Sequence, residues 1–264
     1  MSEAPFLSLE HPIRFAHRGS RVLWPENTMF AFDQAVTGLG YRYLEIDVRC
    51  SRDRVPMVIH DETLERTTNG SGPIAEWDAA DLVLLDAGYR FDEESDYPLR
   101  GRGISIPTLA EVYATFPGAH LNIDLKAAGI EWEVAEVIRR SDAEDRSLIG
   151  SFRDGRIARF RRITKGRVAV SAGPRAAMAM YTASRIGLSA PGSIAAYQLP
   201  YEIGALKIDR RLVDAVHRAG AHLHLWTVND PELMNRFLDI GVDGIVTDRP
   251  DLLNDVVDER KHSA

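Results

Sequence analysis

Two histidines stand beside charged neighbours in this chain, in His17-Arg18-Gly19 and His60-Asp61. Three carboxylates recur at short spacing, in Glu45-Ile46-Asp47 and Asp124-Leu125-Lys126. Residues two apart share one face of a strand, so Glu45 and Asp47 point the same way. With Asp124 beside them in a partly desolvated place, the three repel strongly, and such a cluster persists when a cation sits in it. Ligands that are all oxygen favour Mg²⁺ or Ca²⁺ over zinc. Histidines beside such a cation can serve as general acid and base near neutral pH. Arg18 and Lys126 add positive charge that the carboxylates alone do not require. Metal, guanidinium, ammonium and a histidine pair around one point suit a phosphate ester better than a sugar or a neutral carbonyl.

Each residue also has a plainer reading when taken singly. His17 can be a core histidine donating to a carbonyl, and Arg18 can pair with Glu45. Glu45 and Asp47 can be a solvated strand end, and Lys126 can simply neutralise Asp124. Asn27 reads best as the N-cap of a helix over Thr28–Thr37. Trp226 reads as core, and Asp248 as a cap for the last helix. The chemical reading rests on convergence, so it depends on the elements that carry these residues.

Short apolar, β-branched segments alternate with amphipathic ones along almost the whole chain. Strands are expected at Ile13–His17, Tyr43–Val48, Pro56–His60, His120–Leu125, Ser147–Ser151, Arg167–Ser171, Ala195–Leu199, His222–Thr227 and Gly244–Thr247. Thr108-Leu109-Ala110-Glu111 matches a capping box. Asp230-Pro231 opens a helix that Gly241 closes. Strand–helix alternation implies a parallel sheet, and about eight such units in ~250 residues is the size of a (β/α)8 barrel. Only about seven residues separate Tyr43–Val48 from Pro56–His60, too few for a helical crossover. Those two segments should pair antiparallel, turning around Arg52-Asp53 and bringing His60 back beside the end of its partner. Enzymes on this fold place their chemistry at the C-terminal ends of the strands, where His17, Glu45, Asp47, His60, Asp124 and Lys126 all fall.

One domain over residues 1–264 is expected, of α/β class, a (β/α)8 TIM barrel with a subdomain inserted after the second strand region. The insertion, about 61–106, lacks strand–helix rhythm and is rich in glycine, as a lid or binding excursion over the barrel mouth would be. The residues from about Asp258 onward read as a frayed polar tail.

Composition narrows the partners. The 264 residues carry 32 Lys and Arg against 39 Asp and Glu, a net charge of −7. That balance argues against a nucleic-acid surface. No run of 18 or more apolar residues offers a transmembrane segment. The N-terminal stretch, with Glu3 and Glu10, does not read as a secretory signal. Cys50 is the single cysteine, which excludes an intramolecular disulfide and a cysteine-based zinc site. A reducing, cytoplasmic setting is expected.

The order of motifs FAHRG, PENT, LEIDV, VIHDETLERTTNGSG, LLDAG, IPTLAEV, NIDLK, WTVND and GVDGIVTDRPDLL resembles the glycerophosphodiester phosphodiesterase family from about Ile13 to Leu253. The resemblance implies a (β/α)8 barrel with a subdomain inserted after the histidine of VIHD. It implies hydrolysis of a small-molecule glycerophosphodiester to an alcohol and glycerol 3-phosphate. It also implies that His17 and His60 are acid and base and that Glu45 and Asp47 bind a divalent metal. Arg18 and Lys126 would lie near the phosphate, and Trp226 would line the substrate site. The family's third metal carboxylate is commonly a glutamate in an E-x-K motif. Here Asp124 stands in its place, one methylene shorter.

The expectation is therefore a metal-dependent phosphodiesterase with Glu45, Asp47 and Asp124 around Mg²⁺ or Ca²⁺, and with the insertion gripping the glycerol end. Water and the glycerol 2-hydroxyl are both open as the attacker at this point. A phospholipase D-like enzyme on lysophospholipid or sphingolipid is the nearest rival, and it calls for an exposed apolar rim. A non-catalytic barrel that binds phosphodiesters is a second rival, and it calls for a gap among the site residues.

Overall fold

Strand β2, Tyr43–Cys50, shows how the alternation becomes architecture. Leu44, Ile46, Val48 and Cys50 pack outward with helix residues such as Phe32, Val112 and Val134. Tyr43 packs instead with Phe15, Leu148, Ala196 and Val246 from other strands, inside the ring. Glu45 and Asp47 lie on that same inner face, further along the strand. A computed structural model describes residues 4–190, 192–202, 204 and 207–263.

The other strands are β1 (Ile13–His17), β3 (Pro56–Val58), β4 (His120–Leu125), β5 (Ser147–Gly150), β6 (Ala169–Val170), β7 (Ala196–Pro200), β8 (His222–Trp226) and β9 (Gly244–Thr247). The helices are α1 (Met29–Asp33), α2 (Ala79–Leu82), α3 (Leu109–Thr115), α4 (Glu131–Arg140), α5 (Asp154–Ile163), α6 (Pro174–Arg185), α7 (Arg210–Arg218), α8 (Pro231–Asp239) and α9 (Pro250–Ser263). Strands follow one another in the order β6-β5-β4-β2-β1-β9-β8-β7, each neighbouring pair parallel. A parallel bridge between Ser171 and Ala196 joins the two ends. Beside it Ala172 N–H donates to Ala196 O at 2.8 Å and Ala195 N–H to Val170 O at 3.0 Å. The result is a (β/α)8 barrel.

Its lower end is closed by an apolar plug. The short 3-10 turn Pro5–Leu7 places the Phe6 ring edge-on to Tyr43 at 5.4 Å and against Phe15 at 6.4 Å. His120 donates from Nδ1 to the Phe6 carbonyl at 2.8 Å. A filled floor leaves the opposite, C-terminal face of the strands as the one open end.

As the short spacing predicts, β3 runs antiparallel to β2, with Val48 beside Val58 and Cys50 beside Pro56. The turn is braced by Arg52, which donates to Asp78 at 2.8 Å, and by Asp53, which accepts Ala79 N–H at 2.9 Å. Residues 61–106 form a small core of their own, Leu64, Ile74, Leu82, Ile104 and Ile106 packing on Met57 and Ile59. The capping box at Thr108 and Glu111 is present, as is the Asp230 cap, which accepts Leu233 N–H at 2.9 Å.

Two expectations are corrected. Helix α9 continues to Ser263 instead of fraying from Asp258. Arg260 holds it by donating to Asn235 at 2.9 Å and pairing with Asp239 at 2.8 Å. The helix after Asn27 is capped one residue later, by Thr28, whose side chain accepts Ala31 N–H at 3.1 Å. Its last turn, Gln34–Gly38, widens into a π-helix.

Candidate active site

The chain leaves β1 by a sharp turn through left-handed Arg18 (φ 55°) and Gly19 (φ 82°). A Cβ on Gly19 would lie 2.7 Å from that of Ala31, so the turn needs glycine. The turn leaves His17 on the inner face at the strand end. Its Nδ1 lies 2.6 Å from Asp248 Oδ1, and its Nε2 lies 3.6 Å from Glu45 Oε2. Asp248 is fully buried and also accepts from Arg21 Nε at 3.0 Å and Asn229 Nδ2 at 3.2 Å. An ionised carboxylate only accepts, so Nδ1 carries the proton and Nε2 is turned toward the carboxylates. Burial alone would lower the His17 pKa, but Glu45 and Asp248 raise it above its usual value.

His60 follows β3 and is held in the same manner. Its Nδ1 donates to Asp61 Oδ1 at 2.6 Å, and Arg49 Nε donates to the His60 carbonyl at 2.7 Å. Arg66 grips Asp61 and also donates to both oxygens of Glu26 at 2.7 and 2.8 Å. Glu26 in turn accepts from Arg18 at 2.9 Å. Burial lowers the His60 pKa despite the nearby Asp47 and Asp61.

Strand register aligns the acids. Asp47 is beside Asp124 across β2 and β4, and Glu45 is beside His17 across β2 and β1. Asp47 forms an ion pair with Arg18, Nε at 2.9 Å, and accepts a hydrogen bond from Asn27 Nδ2 at 2.9 Å. Lys126 Nζ bridges Asp47 at 3.0 Å and Asp124 at 2.6 Å. Burial would raise the Asp47 pKa, but Arg18 and Lys126 hold it below the usual carboxylate value. Among the described residues no Arg or Lys forms an ion pair with Glu45, which stands 3.6 Å from His17 Nε2. Burial, with repulsion from Asp47, pushes its carboxyl up to about 7.

Across the mouth the chemistry changes. Phe152 after β5, Pro174, Ala177, Met178 and Tyr181 on α6, Leu199 and Pro200 on β7, and Trp226 at the end of β8 form an apolar wall. Phe152 and Trp226 meet edge to face at 5.6 Å, and Lys126 Nζ stands 5.5 Å from the Phe152 ring centre. The two sides enclose a cavity of about 490 Å³.

His17, Arg18, Glu45, Asp47, His60, Asp124, Lys126 and Trp226 all line this one cavity. Arg18 pairs with Glu26 and Asp47, not with Glu45. Two residues read from sequence as caps belong to the site: Asn27 (φ 56°) braces Asp47, and Asp248 holds His17. Glu26 was passed over, although Pro25-Glu26-Asn27 places it next to Asn27. The insertion is corrected as well. None of residues 61–106 is among the described residues lining the cavity, and the segment meets the site only through Asp61 and Arg66. Its buried apolar side chains pack in its own core and on β3, and Leu84 is exposed.

Among the described residues, no three His, Cys, Asp or Glu side chains converge as a ready-made metal ligand set. Lys126 stands between Asp47 and Asp124. Three buried carboxylate oxygens of the site, Glu45 Oε2, Asp47 Oδ1 and Asp124 Oδ1, accept no hydrogen bond. Such atoms are costly when unpaired, and hard cations take oxygen donors of this type.

Residues 17–252 match the model of the glycerophosphoryl diester phosphodiesterase family. The chain is 39% identical to the probable glycerophosphodiester phosphodiesterase 2 of Mycobacterium tuberculosis over 93% of this chain and 90% of that protein. It is 32% identical to a glycerophosphodiester phosphodiesterase of Caldanaerobacter subterraneus subsp. tengcongensis, over 92% of this chain and 96% of that one. A phosphodiesterase of Oleispira antarctica, solved in complex with the product sn-glycerol-3-phosphate, superposes with a TM-score of 0.74 at 28% identity. The match covers 94% of this chain and 97% of that one.

Proposed function

The chain belongs to the glycerophosphoryl diester phosphodiesterase family, and from that premise we propose how it acts. It is a phosphodiesterase acting on glycerophosphodiesters. In our reading it releases an alcohol and glycerol 3-phosphate, using His17 and His60 as acid and base at a divalent metal. The observation that carries the reading is the symmetry of the two histidines. Each has Nδ1 committed to an aspartate at 2.6 Å, which leaves each Nε2 for a reacting oxygen in the same cavity.

One histidine takes the proton of the attacking oxygen at Nε2, and the other delivers a proton from Nε2 to the departing alkoxide. One P–O bond forms and one breaks, and the proton count balances. Arg18 and Lys126 face the phosphoryl oxygens and offset charge building on them. Glu45, Asp47 and Asp124 would hold the metal. The three carboxylate oxygens that accept no hydrogen bond, and a Glu45 carboxyl that needs a nearby cation to ionise fully at neutral pH, support that role. When bound, Mg²⁺ or Ca²⁺ would polarise the phosphoryl group. The sn-glycerol-3-phosphate held by the Oleispira antarctica neighbour is the product expected here.

The cytoplasmic setting belongs to the same reading. It is supported by the lone, buried thiol of Cys50, which burial pushes up to about 12. No helix among the described residues is long and apolar enough to cross a membrane.

The test is glycerol 3-phosphate release from glycerophosphoethanolamine, glycerophosphocholine and glycerophosphoglycerol, after EDTA treatment and with Mg²⁺, Ca²⁺ or Mn²⁺ returned. Release that stops with EDTA and resumes with one of these ions is expected. Full turnover in the stripped enzyme would remove the metal from the mechanism. No release with any ion would remove the reaction.

A further inference from the structure

Charge is spread unevenly along this acidic chain. From Arg146 to Tyr201 there are ten Lys and Arg and one acid, Asp154, while the rest of the chain has 22 Lys and Arg against 38 Asp and Glu. Much of the excess falls on α5 and the turn that follows it. Ile157, Phe160 and Thr164 are the buried side of that helix, and Arg159, Arg161, Arg162, Lys165 and Arg167 are exposed. Arg159 leans toward Glu131 at 3.6 Å. Among the described residues, no carboxylate pairs with Arg161, Arg162, Lys165 or Arg167. By contrast, Asp78 neutralises Arg52, Glu136 neutralises Arg139 and Arg140, and Asp239 neutralises Arg260. From Arg161 to Lys165 the helix rises by about 6 Å, less than a Debye length in physiological salt, so these cations repel one another with little screening. The fold leaves that repulsion uncompensated, and a negative surface laid against α5 would relieve it.

Large apolar side chains stand on the elements to either side of α5. Trp132 on α4 is 62% exposed, and Ile186 and Leu188, just after α6, are 71% and 59% exposed. None of the three lines the catalytic cavity. Trp132 shares a shallow groove with Arg139 of α4 and with Ile163 and Arg167. The acids in that groove are Glu136, already paired with Arg139 and Arg140, and Glu144. Glu144 belongs to the loop before β5, with Asp142 and Asp145, so the acids border α5 on one side only; α6 carries none. Arg218 fixes the segment after α6 by donating to the carbonyls of Gly187 and Leu188 at 3.3 and 3.4 Å. Ile186 and Leu188 are thus held in water by an ordered backbone.

We infer that the flank made by α4, α5 and the end of α6 docks on an anionic lipid bilayer. Its cations meet the headgroup phosphates, and Trp132, Ile186 and Leu188 enter the boundary between headgroups and chains, where tryptophan and aliphatic groups gain most. A nucleic acid would use the same cations but offers nothing to Ile186 and Leu188. The contact is peripheral and reversible, carried by charge and a few side chains, and no helix among the described residues is long and apolar enough to cross a membrane. It stands apart from the catalytic residues and does not depend on the reaction they perform.

The experiment is sedimentation of the full chain with vesicles of phosphatidylcholine alone and of phosphatidylcholine with about a third phosphatidylglycerol, in low and in high salt. Binding to the anionic vesicles only, weakening as salt rises, is expected. Each basic residue held near such a surface strengthens partitioning about fivefold, so Arg161→Gln with Arg162→Gln should lower the partition coefficient by roughly 20-fold. Arg42→Gln with Arg102→Gln removes the same charge from exposed positions before β2 and in the insertion. That pair should lower it by less than about twofold. Trp132→Ser should weaken binding by about tenfold and leave the salt dependence as it was. All these positions are exposed, and thermal midpoints near that of wild type will show that the variants are folded. No binding to anionic vesicles in low salt, or equal binding to neutral ones, would overturn the inference. Equal losses in the two double variants would overturn it too, since net charge and not this flank would then set the binding. Wild-type partitioning in Trp132→Ser would overturn the choice of a bilayer, as would an RNA oligonucleotide that binds this flank more tightly than the vesicles do.

Discussion

The two sides of the barrel mouth are built on different principles. Toward β1 to β4, the charged groups are tied into a chain of ion pairs. Arg66 holds Asp61 and Glu26, Glu26 holds Arg18, Arg18 and Lys126 hold Asp47, and Lys126 holds Asp124. Toward β5 to β8, the wall is apolar side chains, with Phe152 and Met178 half in water. Directional contacts fix the atoms that move protons to within tenths of an ångström. Non-directional contacts tolerate a range of shapes and reward area. A reaction at one invariant phosphate with a variable alcohol needs both.

Breaking the locked side should cost most. His17→Ala or His60→Ala should lower kcat by a factor on the order of 10² to 10⁴, with little change in thermal midpoint, because both stand at the mouth and outside the packed core. Wild-type turnover in either variant would end the acid–base assignment. Next comes Asp124, whose Oδ1 accepts no hydrogen bond. Asp124→Asn should move the metal midpoint upward by about tenfold or more, read both as initial rate and as the rise in thermal midpoint with added Mg²⁺ or Ca²⁺. Asp124→Glu should keep binding but shift the preference between the two ions, since Mg²⁺ demands tighter geometry. An Asn variant with the wild-type midpoint would leave Asp124 as only the partner of Lys126.

Arg18→Lys should lose about tenfold in kcat/KM. One planar guanidinium reaches Glu26 and Asp47 at 2.9 Å each, and an ammonium cannot span both in that geometry. Equal activity would reduce Arg18 to a source of charge. The smallest effect concerns Asp61. Burial would raise its pKa, but Arg66 and His60 depress it from 3.8 to about 2. A depressed carboxyl stabilises the fold above its unfolded pKa and loses that contribution as pH falls through the folded one. The stability gap between wild type and Asp61→Asn should therefore be constant above about pH 5 and shrink toward pH 2. Because the pair is partly exposed, the gap should stay near or below ~1 kcal/mol. A gap that widens on acidification would contradict the pairing.

Much of this was legible without coordinates. The alternation of apolar and amphipathic segments carried the barrel. The two-residue spacing in Glu45-x-Asp47 carried the shared face, and the short gap before Pro56 carried the antiparallel arm that returns His60. Residues at strand ends are readable because strand position and side-chain direction follow local rules. Asn27 and Asp248 were not readable as site residues. Their type suits a helix cap equally well, and only the closure of β9 against β1 brings Asp248 to His17. Glu26 gains its role from Arg66, 40 residues later.

The sequence by itself determined the fold class and the placement of His17, Arg18, Glu45, Asp47, His60, Asp124 and Lys126 at the mouth, because periodicity and spacing are local properties of the chain. Tertiary structure alone decided which partner each charge takes, that residues 61–106 build a small core apart from the cavity, and that a face of α6 lines it. Those choices depend on which surfaces meet when the ring of strands closes. An apolar residue on a helix carries no local mark saying whether it will meet the core or a substrate.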